Sequence, residues 1–297
     1  MTFLLHGKKF SKEIGDQIIT FIDQAIEQNI SIIYTDSFYQ ILKKRVSKYN
    51  NTNIETISSL DKNARKIDYL ICFGGDGTIL HAATIVKNSE IPIVGINTGR
   101  LGFLATISKN ELSKLMRQLK KNAYDLSQRT LLEINNQNTL INFPFALNEI
   151  SISSKESSSM INIKVFLNEE YLNTYWADGL IISTPTGSTG YSLSCGGPIV
   201  MPKSNNFIIT PIAPHNLNVR PLIVSDSNII RIEIIDNSSN HFLLSMDSRT
   251  QYIKNSEHIT VKKAKHKINL LELESTTYSK TLREKLLWGL DARNYDQ

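Results

Sequence analysis

The sequence predicts an α/β protein with an N-terminal domain, in which helices alternate with the strands of a mainly parallel sheet, and a C-terminal domain that is mostly antiparallel and β-rich. Three observations carry this. Between Lys12 and about Ile107, helix-length segments alternate with short apolar runs, the texture of βα units. After about Asn122 the chain turns to short β-rich runs broken by Asn, Ser and Pro, the texture of antiparallel strands and turns. A length of 297 residues is enough for two ordinary hydrophobic cores.

Taken in order, SKEIGDQIITFIDQAIEQ (11–28) reads as a helix and ISIIYT (30–35) as a strand. IDYLICF (67–73) is a second apolar run, TILHAATIVKN (78–88) a helix, and IPIVGIN (91–97) another strand. ELSKLMRQLKKN supplies a further helix ending near Asn122. The runs TLLEINN, FALNEISI, INIKVFLN, LIISTPTG, FIITPIAP, NIIRIEII, HFLLSMDS and HITVKKA then read as strands. The tail TTYSKTLREKLLWGL looks helical, with Leu282, Leu286 and Trp288 able to cover the first domain. The expected organisation is a Rossmann-like α/β domain over 1–124, a β-rich domain over 125–270, and a helical segment over 271–297 that returns to the first domain.

Composition narrows the function classes. A 41% hydrophobic and 21% charged chain is a globule rather than a disordered segment. No run of about 18 apolar residues occurs, and MTFLLHGKKF lacks the long hydrophobic core of a signal peptide. A cytoplasmic protein with no membrane partner is expected. Cys72 and Cys195 lie far apart, which argues against a disulfide framework and against a Cys-based zinc site. The net charge of +5 comes from dispersed lysines, as in KKRVSK and VKKAKHK, without an aromatic-interleaved basic stripe. No nucleic-acid partner is expected.

The first chemical signal is CFGGDGTILHAA (72–83). Gly74, Gly75 and Gly77 fall between a strand and a helix, at the sheet edge where α/β proteins bind ligands. Glycines permit close backbone approach, and a helix N-terminus attracts phosphate. The run is neither GxGxxG nor GxxxxGK[ST], and no Walker lysine follows. A carboxylate at Asp76 can accept a proton from an attacking hydroxyl, orient it, or help hold a phosphate-bound magnesium ion. Capping the helix or stabilising the turn is the structural alternative.

Three more segments carry polar groups in apolar surroundings. GINTGRLGFLA (95–105) offers Arg100 for phosphate and Asn97, which can equally cap its own loop. Asn148 and Glu149 in FALNEISI pair an amide with a carboxylate, a set able to hold a cis-diol if the strand ends or bends there; from these residues alone a surface turn is the favoured explanation. WADGLIISTPTGSTGYSLSCGGPIV (176–200) brackets the strand LIIS with Asp178 and a dense Ser, Thr and Gly loop, and Tyr191 presents a flat face for a base. A serine nucleophile does not fit, because GSTGY is not GxSxG and no histidine is placed by sequence to activate it.

With these blocks in view, the chain resembles the NAD kinase family, of the bacterial ATP-NAD kinase type. The resemblance rests on GGDGT (74–78), NE (148–149), DGLIISTPTGSTGYSLSCGGP (178–198) and PHNLNVRPL (214–222) in that order. GGDG alone is shared with phosphofructokinases and diacylglycerol-type lipid kinases; the four blocks together are specific. The resemblance implies transfer of the terminal phosphoryl group of ATP to the 2'-hydroxyl of the adenosine ribose of NAD, with magnesium. It implies Asp76 as proton acceptor, with Gly77, Asn148, Glu149 and the run Thr189, Gly190, Tyr191, Ser192, Leu193 and Ser194 at the dinucleotide. Asp178 matches an acidic residue that reaches NAD from a neighbouring subunit, which implies a homodimer or a homotetramer. His81 and Ala213 fall at positions that also line the site in similar enzymes.

The chain departs from the family pattern at several places. Trp176 stands where relatives often have arginine, Gly190 replaces the alanine of GSTAY, and Arg249 in MDSR takes the place of a glutamine. HGKKFSKE is a poor match to the loop after the first strand. Arg249 is expected to contact a dinucleotide phosphate or the adenine face, with Trp176 packed beside it, restoring the charge missing at 176. The competing classes are a sugar or lipid kinase and a silent dinucleotide-binding module.

Overall fold

A computed structural model of the chain describes residues 1–8, 10–45, 54–60, 67–99, 102–136, 141–154, 160–235, 241–254, 258–273 and 277–288. By its contacts the chain divides into two compact units, one of Met1–Gln128 with Ile268–Gln297 and one of Arg129–Lys267.

The first unit begins with β1 (Thr2–Gly7), α1 (Lys12–Glu27), β2 (Ser31–Thr35), α2 (Asp36–Arg45), β3 (Glu55–Ile57) and β4 (Tyr69–Phe73). It continues with α3 (Asp76–Val86), β5 (Ile93–Asn97), β6 (Ile107–Ser108) and α4 (Leu112–Lys121). Ser11 caps α1 by accepting from the Ile14 N–H, and Gly15, Ile18, Phe21, Ile22 and Ala25 form its buried stripe at helical spacing. Ser108 and Glu111 form a capping box ahead of α4, and Asn122 ends that helix in the left-handed region. Strands β3, β2, β1, β4 and β5 pair in that spatial order, all parallel. Phe3, Phe21, Phe38 and Phe73 pack in the core of this unit.

From there the chain forms β7 (Asp125–Asn136), β8 (Phe145–Ala146), β9 (Glu149–Ser154), β10 (Ile161–Leu167), β11 (Glu170–Ala177) and β12 (Gly179–Ser183). A 3-10 turn at Thr186–Thr189 and the short α5 (Tyr191–Ser194) precede β13 (Asn206–Ile212), β14 (Leu222–Ser225) and β15 (Ile230–Ile234). β16 (His241–Met246), β17 (Arg249–Lys254), β18 (Ile259–Glu272) and α6 (Tyr278–Leu286) complete it. Within the second unit one antiparallel sheet runs β14-β13-β12-β9-β16-β17. A second antiparallel set joins β11, β10, β15 and β18. Alternate residues of both sets point into one core, including Ile150, Ile182, Phe207, Phe242, Ile163 and Ile232.

Several elements lie outside the expected ones, among them β3 and β6, which are only three and two residues long. α2 has Phe38 and Leu42 as its fully buried apolar pair, too short a stripe to stand out. β11, β14 and β17 show exposed or half-exposed residues along most of their length, so each lacks the apolar run that announces a central strand. In the C-terminal segment Leu282 is buried and Leu286 half-buried, whereas Trp288 is 52% exposed. Phe242→Ala, which empties a fully buried site, is expected to destabilise the protein by about 3–5 kcal/mol. Urea unfolding of the variant beside the wild type measures it.

Candidate active site

The strand order of the first unit fixes where a ligand can sit. The chain builds outward from β1 to β2 and β3 and then returns to place β4 on the other side of β1, so the sheet's switch point lies between β1 and β4. Gly74 and Gly75 follow β4, and Gly75, with extended backbone, is the N-cap of α3 without a side-chain capping bond. Asp76 therefore opens the helix and does not cap it.

Its carboxylate is used elsewhere. Phe103 N–H donates to Oδ2 at 2.9 Å, while Leu104 and Ala105 N–H groups donate to Oδ1 at 3.0 and 3.1 Å. The approach is so close that a Cβ on Gly102 would collide with the Asp76 carboxylate. A carboxylate offers about four lone-pair sites, so three accepted bonds leave one, on Oδ2. Gly77 is exposed in the first turn of α3, and a Cβ built there would lie 3.8 Å from Lys8 Nζ. One turn further on, exposed His81 places Nδ1 3.0 Å from His6 Nε2. Asn97 caps its own loop, accepting from Gly99 N–H at 2.8 Å and donating to Ala105 C=O at 3.3 Å. Arg100 lies outside the described residues.

In the second unit the same kind of interaction recurs. Asp247 sits in the two-residue turn between β16 and β17 at φ 52°, a left-handed position that Asp tolerates. Its carboxylate accepts from Leu147 N–H at 3.0 Å, Asn148 N–H at 2.8 Å and Glu149 N–H at 3.2 Å. The carbonyls of this segment are also engaged: Leu147 C=O by Thr184 Oγ1 at 2.6 Å, Asn148 C=O by Thr184 N–H at 2.9 Å, and Glu149 C=O by Asp247 N–H at 2.9 Å. With its backbone satisfied, the segment presents its side chains. Asn148 Oδ1 and Glu149 Oε2 are buried without a hydrogen-bond partner. The requirement that the strand end there is met, because β9 begins at Glu149.

Burial first, and then the negative charge of Asp247, push the Glu149 carboxyl up to about 8, against a lowering bond from the Tyr191 N–H. Burial raises Asp247 as well, opposed by the Leu147 and Asn148 N–H groups, Arg249 and the Glu149 N–H. At neutral pH Glu149 is therefore a carboxylic acid with an O–H to donate. Gly190 gives it room: a Cβ there would stand 2.9 Å from Glu149 Oε2 and 3.3 Å from Asn148 Nδ2. The departure from alanine is thus one of space, at a residue whose φ is an ordinary −95°.

The remaining candidates divide. Tyr191 is 44% exposed, and the charges of Cys195, Asp178 and Glu149, after burial, raise its phenol, which places it among these groups. Ser192 is turned inward, 2.8 Å from Thr210 Oγ1, whereas Ser194 is exposed and Thr189 and Leu193 are half-buried. Asp178 is exposed just before β12, and Ala213 follows β13 at φ 44°. Trp176 is 51% exposed on β11, tied by its backbone to Asn216 and His215. Arg249 has other partners. Its guanidinium donates to Phe143 C=O at 2.6 Å and to Phe145 C=O, and lies over the Phe143 ring at 4.9 Å. Carbonyls just ahead of the Asn148 segment meet these donors, and no hydrogen bond or ring contact joins Trp176 and Arg249.

Sequence reasoning passed over Asp247 and saw Thr184 only as part of the polar loop after LIIS. The available signal was an acidic residue in a two-residue turn between the apolar run HFLLSM and the next strand.

Residues 7–124 match the sequence model of the ATP-NAD kinase N-terminal domain and residues 147–273 that of the C-terminal domain. The chain belongs to the ATP-NAD kinase family. Relatives of this family include the NAD kinase of Flavobacterium psychrophilum, 46% identical over 94% of each chain, and that of Cytophaga hutchinsonii, 45% identical over 99% of this chain and all of the other. Among solved structures, yeast NADH kinase complexed with NADH is 25% identical with a TM-score of 0.86, covering 98% of this chain and 88% of that one. An NAD kinase from Archaeoglobus fulgidus in complex with ATP has the same fold at 23% identity and a TM-score of 0.71, covering 97% and 98% of the two chains. In this member of the ATP-NAD kinase family, both the glycine turn at 74–77 and the pair at 148–149 are held by successive backbone N–H groups donating to an aspartate carboxylate.

The raised Glu149 carboxyl has a consequence for stability. Below about pH 4.5 both folded and unfolded chains hold this proton; as pH rises towards about 8 the unfolded chain releases it while the folded one retains it, so stability falls across that window. Urea unfolding is expected to show a larger loss of stability between pH 6 and pH 8.5 in the wild type than in Glu149→Gln, which lacks this group's share. An unchanged pH slope in the variant contradicts it.

Proposed function

We propose that this chain transfers the γ-phosphoryl group of ATP to the 2'-hydroxyl of the adenosine ribose of NAD, giving NADP and ADP. The observation that carries the reading is the buried, partnerless pair Asn148 Oδ1 and Glu149 Oε2 in a chain of the ATP-NAD kinase family. Each such atom costs about 1–3 kcal/mol when left unpaired. The two hydroxyls of a ribose are donors and acceptors at once and complement an amide oxygen beside a protonated carboxyl.

In the transfer, O2' of the ribose bonds to the γ-phosphorus, the bond from that phosphorus to the ADP oxygen breaks, and the O2' proton passes to the remaining lone pair on Asp76 Oδ2. The transition state of such transfers is loose, so Asp76 acts as much by orienting the hydroxyl as by removing its proton. Exposed Gly77, at the start of α3, leaves the dinucleotide room to approach. Thr189, Gly190, Tyr191, Ser192, Leu193 and Ser194 frame adenine and ribose, with the flat face of Tyr191 for the base. His81, Trp176, Ala213 and Arg249 complete the set, and Arg249 acts as a positioning residue through the carbonyls of Phe143 and Phe145.

Among the described residues no three His, Cys, Asp or Glu groups gather into a metal cage. Magnesium would enter with ATP, held by its phosphate oxygens and water, because the one lone pair left on the Asp76 carboxylate serves the ribose hydroxyl. Bound there, the ion supplies neutralisation of phosphate charge.

The active form is a homodimer, or a tetramer built from dimers, in which Asp178 of one copy reaches the dinucleotide on its partner. Supporting this are the exposure of the Asp178 carboxylate and of Tyr191, whose phenol feels its charge. The protein works in the cytoplasm; among the described residues no helix is long and apolar enough to cross a membrane.

Purified protein given ATP and NAD is expected to form a dinucleotide that an NADP-dependent dehydrogenase accepts; phosphorylation of a sugar or lipid instead, or NAD binding without turnover, contradicts the reading. Asp76→Asn keeps one of the two oxygens that accept the loop N–H groups and is expected to lower turnover by at least about 100-fold, the usual share of general-base chemistry. Near-normal turnover in the folded variant rejects the role. Specific activity is also expected to fall on dilution through the range where scattering records dissociation into monomers. Full activity in the monomer would rule out a shared site.

A further inference from the structure

His6 lies one residue before the end of β1, opposite Cys72 of β4, and its side chain is only 2% exposed. A buried imidazole persists without penalty only where both ring nitrogens find partners. Both do. Nδ1 is 3.0 Å from Thr35 Oγ1 at the buried end of β2, and Nε2 is 3.0 Å from Nδ1 of His81 on α3. The two imidazoles also stack, with centroids 4.9 Å apart and planes within 22°. A continuous line of polar groups therefore runs from the interior of the sheet's C-terminal edge to exposed His81.

The line works in either proton arrangement. Burial, followed by the charges of His81 and Lys8, brings the His6 pKa down to about 4, so His6 is neutral at physiological pH and has one N–H and one lone pair. When His81 Nδ1 carries a proton it donates to His6 Nε2, and His6 Nδ1–H donates to the Thr35 hydroxyl. When His81 Nδ1 is bare, His6 Nε2–H donates to it and the Thr35 hydroxyl donates to His6 Nδ1. Only a hydroxyl, donor and acceptor together, serves both cases. His81 stands four residues after Gly77 and so shares its face of α3.

We propose that His6, backed by Thr35, is a positioning residue for the kinase reaction: it fixes the ring of His81 on the Gly77 face of α3 so that this imidazole meets the dinucleotide in one pose. The inference rests on the reading of His81 as a dinucleotide contact. It assigns β1 and β2 an indirect part in substrate recognition, through two side chains that do not themselves touch the substrate.

The test uses full-length protein carrying His6→Phe, Thr35→Val, His81→Ala, or His6→Phe with His81→Ala. Removing the His6 bond is expected to raise KM for NAD by about 3- to 12-fold, the range of one hydrogen bond, while kcat stays within about twofold. Thr35→Val, which replaces only a hydroxyl and keeps the test open if His6→Phe fails to fold, should raise KM in the same direction. Adding His6→Phe to His81→Ala should raise KM no further. Nitrogen-15 spectra of the imidazoles should show the His81 Nδ1 signal moving in both His6→Phe and Thr35→Val. Additive effects in the double variant, a fall in kcat with KM unchanged, or an unmoved His81 ring signal would each overturn the proposal. If the wild type makes no NADP, the kinase reading fails by itself, and the ring spectra still decide whether His6 holds His81.

Discussion

One interaction, used twice, organises this protein: an aspartate carboxylate that accepts three successive backbone N–H groups from a distant segment of its own unit. Asp76 takes Phe103, Leu104 and Ala105, and Asp247 takes Leu147, Asn148 and Glu149. Hydrogen bonds to an ionised acceptor are roughly twice as strong as neutral ones, and N–H groups in a loop or at a strand end would otherwise lack ladder partners. Each aspartate thereby ties a distant segment in place. The local backbone is shaped to permit this. Gly102 leaves room for the Asp76 carboxylate, and Asp247 accepts a left-handed backbone to face inward.

The recognition chemistry follows from that restraint. Because the amides and carbonyls of Leu147–Glu149 are satisfied by Asp247 and Thr184, the side chains of Asn148 and Glu149 are left to meet a ligand. Glu149 has poor solvation and a negative neighbour, and both keep its proton on. A protonated carboxyl beside an amide is suited to hydroxyls and ill suited to a second anion. Arg249 extends the same support one step further by tying down Phe143 and Phe145.

Much of this was legible in the sequence, because the responsible signals are local. Apolar periodicity located α1, α3 and α4 and the buried strands, and GGDG placed a carboxylate at a strand-to-helix turn. The short α2 and strands β11, β14 and β17 escaped notice because their sequences are short or half polar. Trp288 was expected to cover the first domain and is half exposed. What stayed hidden depends on contacts across long sequence separations: Asp247 is about a hundred residues from the amides it holds, and His6 is 75 from His81. Arg249 shows the same limit. Its charge suggested a partner in the ligand, yet the nearest acceptors are carbonyls more than a hundred residues earlier.

The central claim is that the Asp247 carboxylate itself, and not the neighbouring strand pairing, fixes the segment that bears Asn148 and Glu149. Asp247→Gly isolates it, since glycine adopts the left-handed turn without strain and removes only the side chain. Amide hydrogen exchange followed residue by residue in this variant is the direct measurement. Protection at Leu147, Asn148 and Glu149 is predicted to drop while the ladder amides of Ile152 and Leu180 keep theirs. Unchanged protection at those three amides would show that strand pairing alone holds them and would contradict the account.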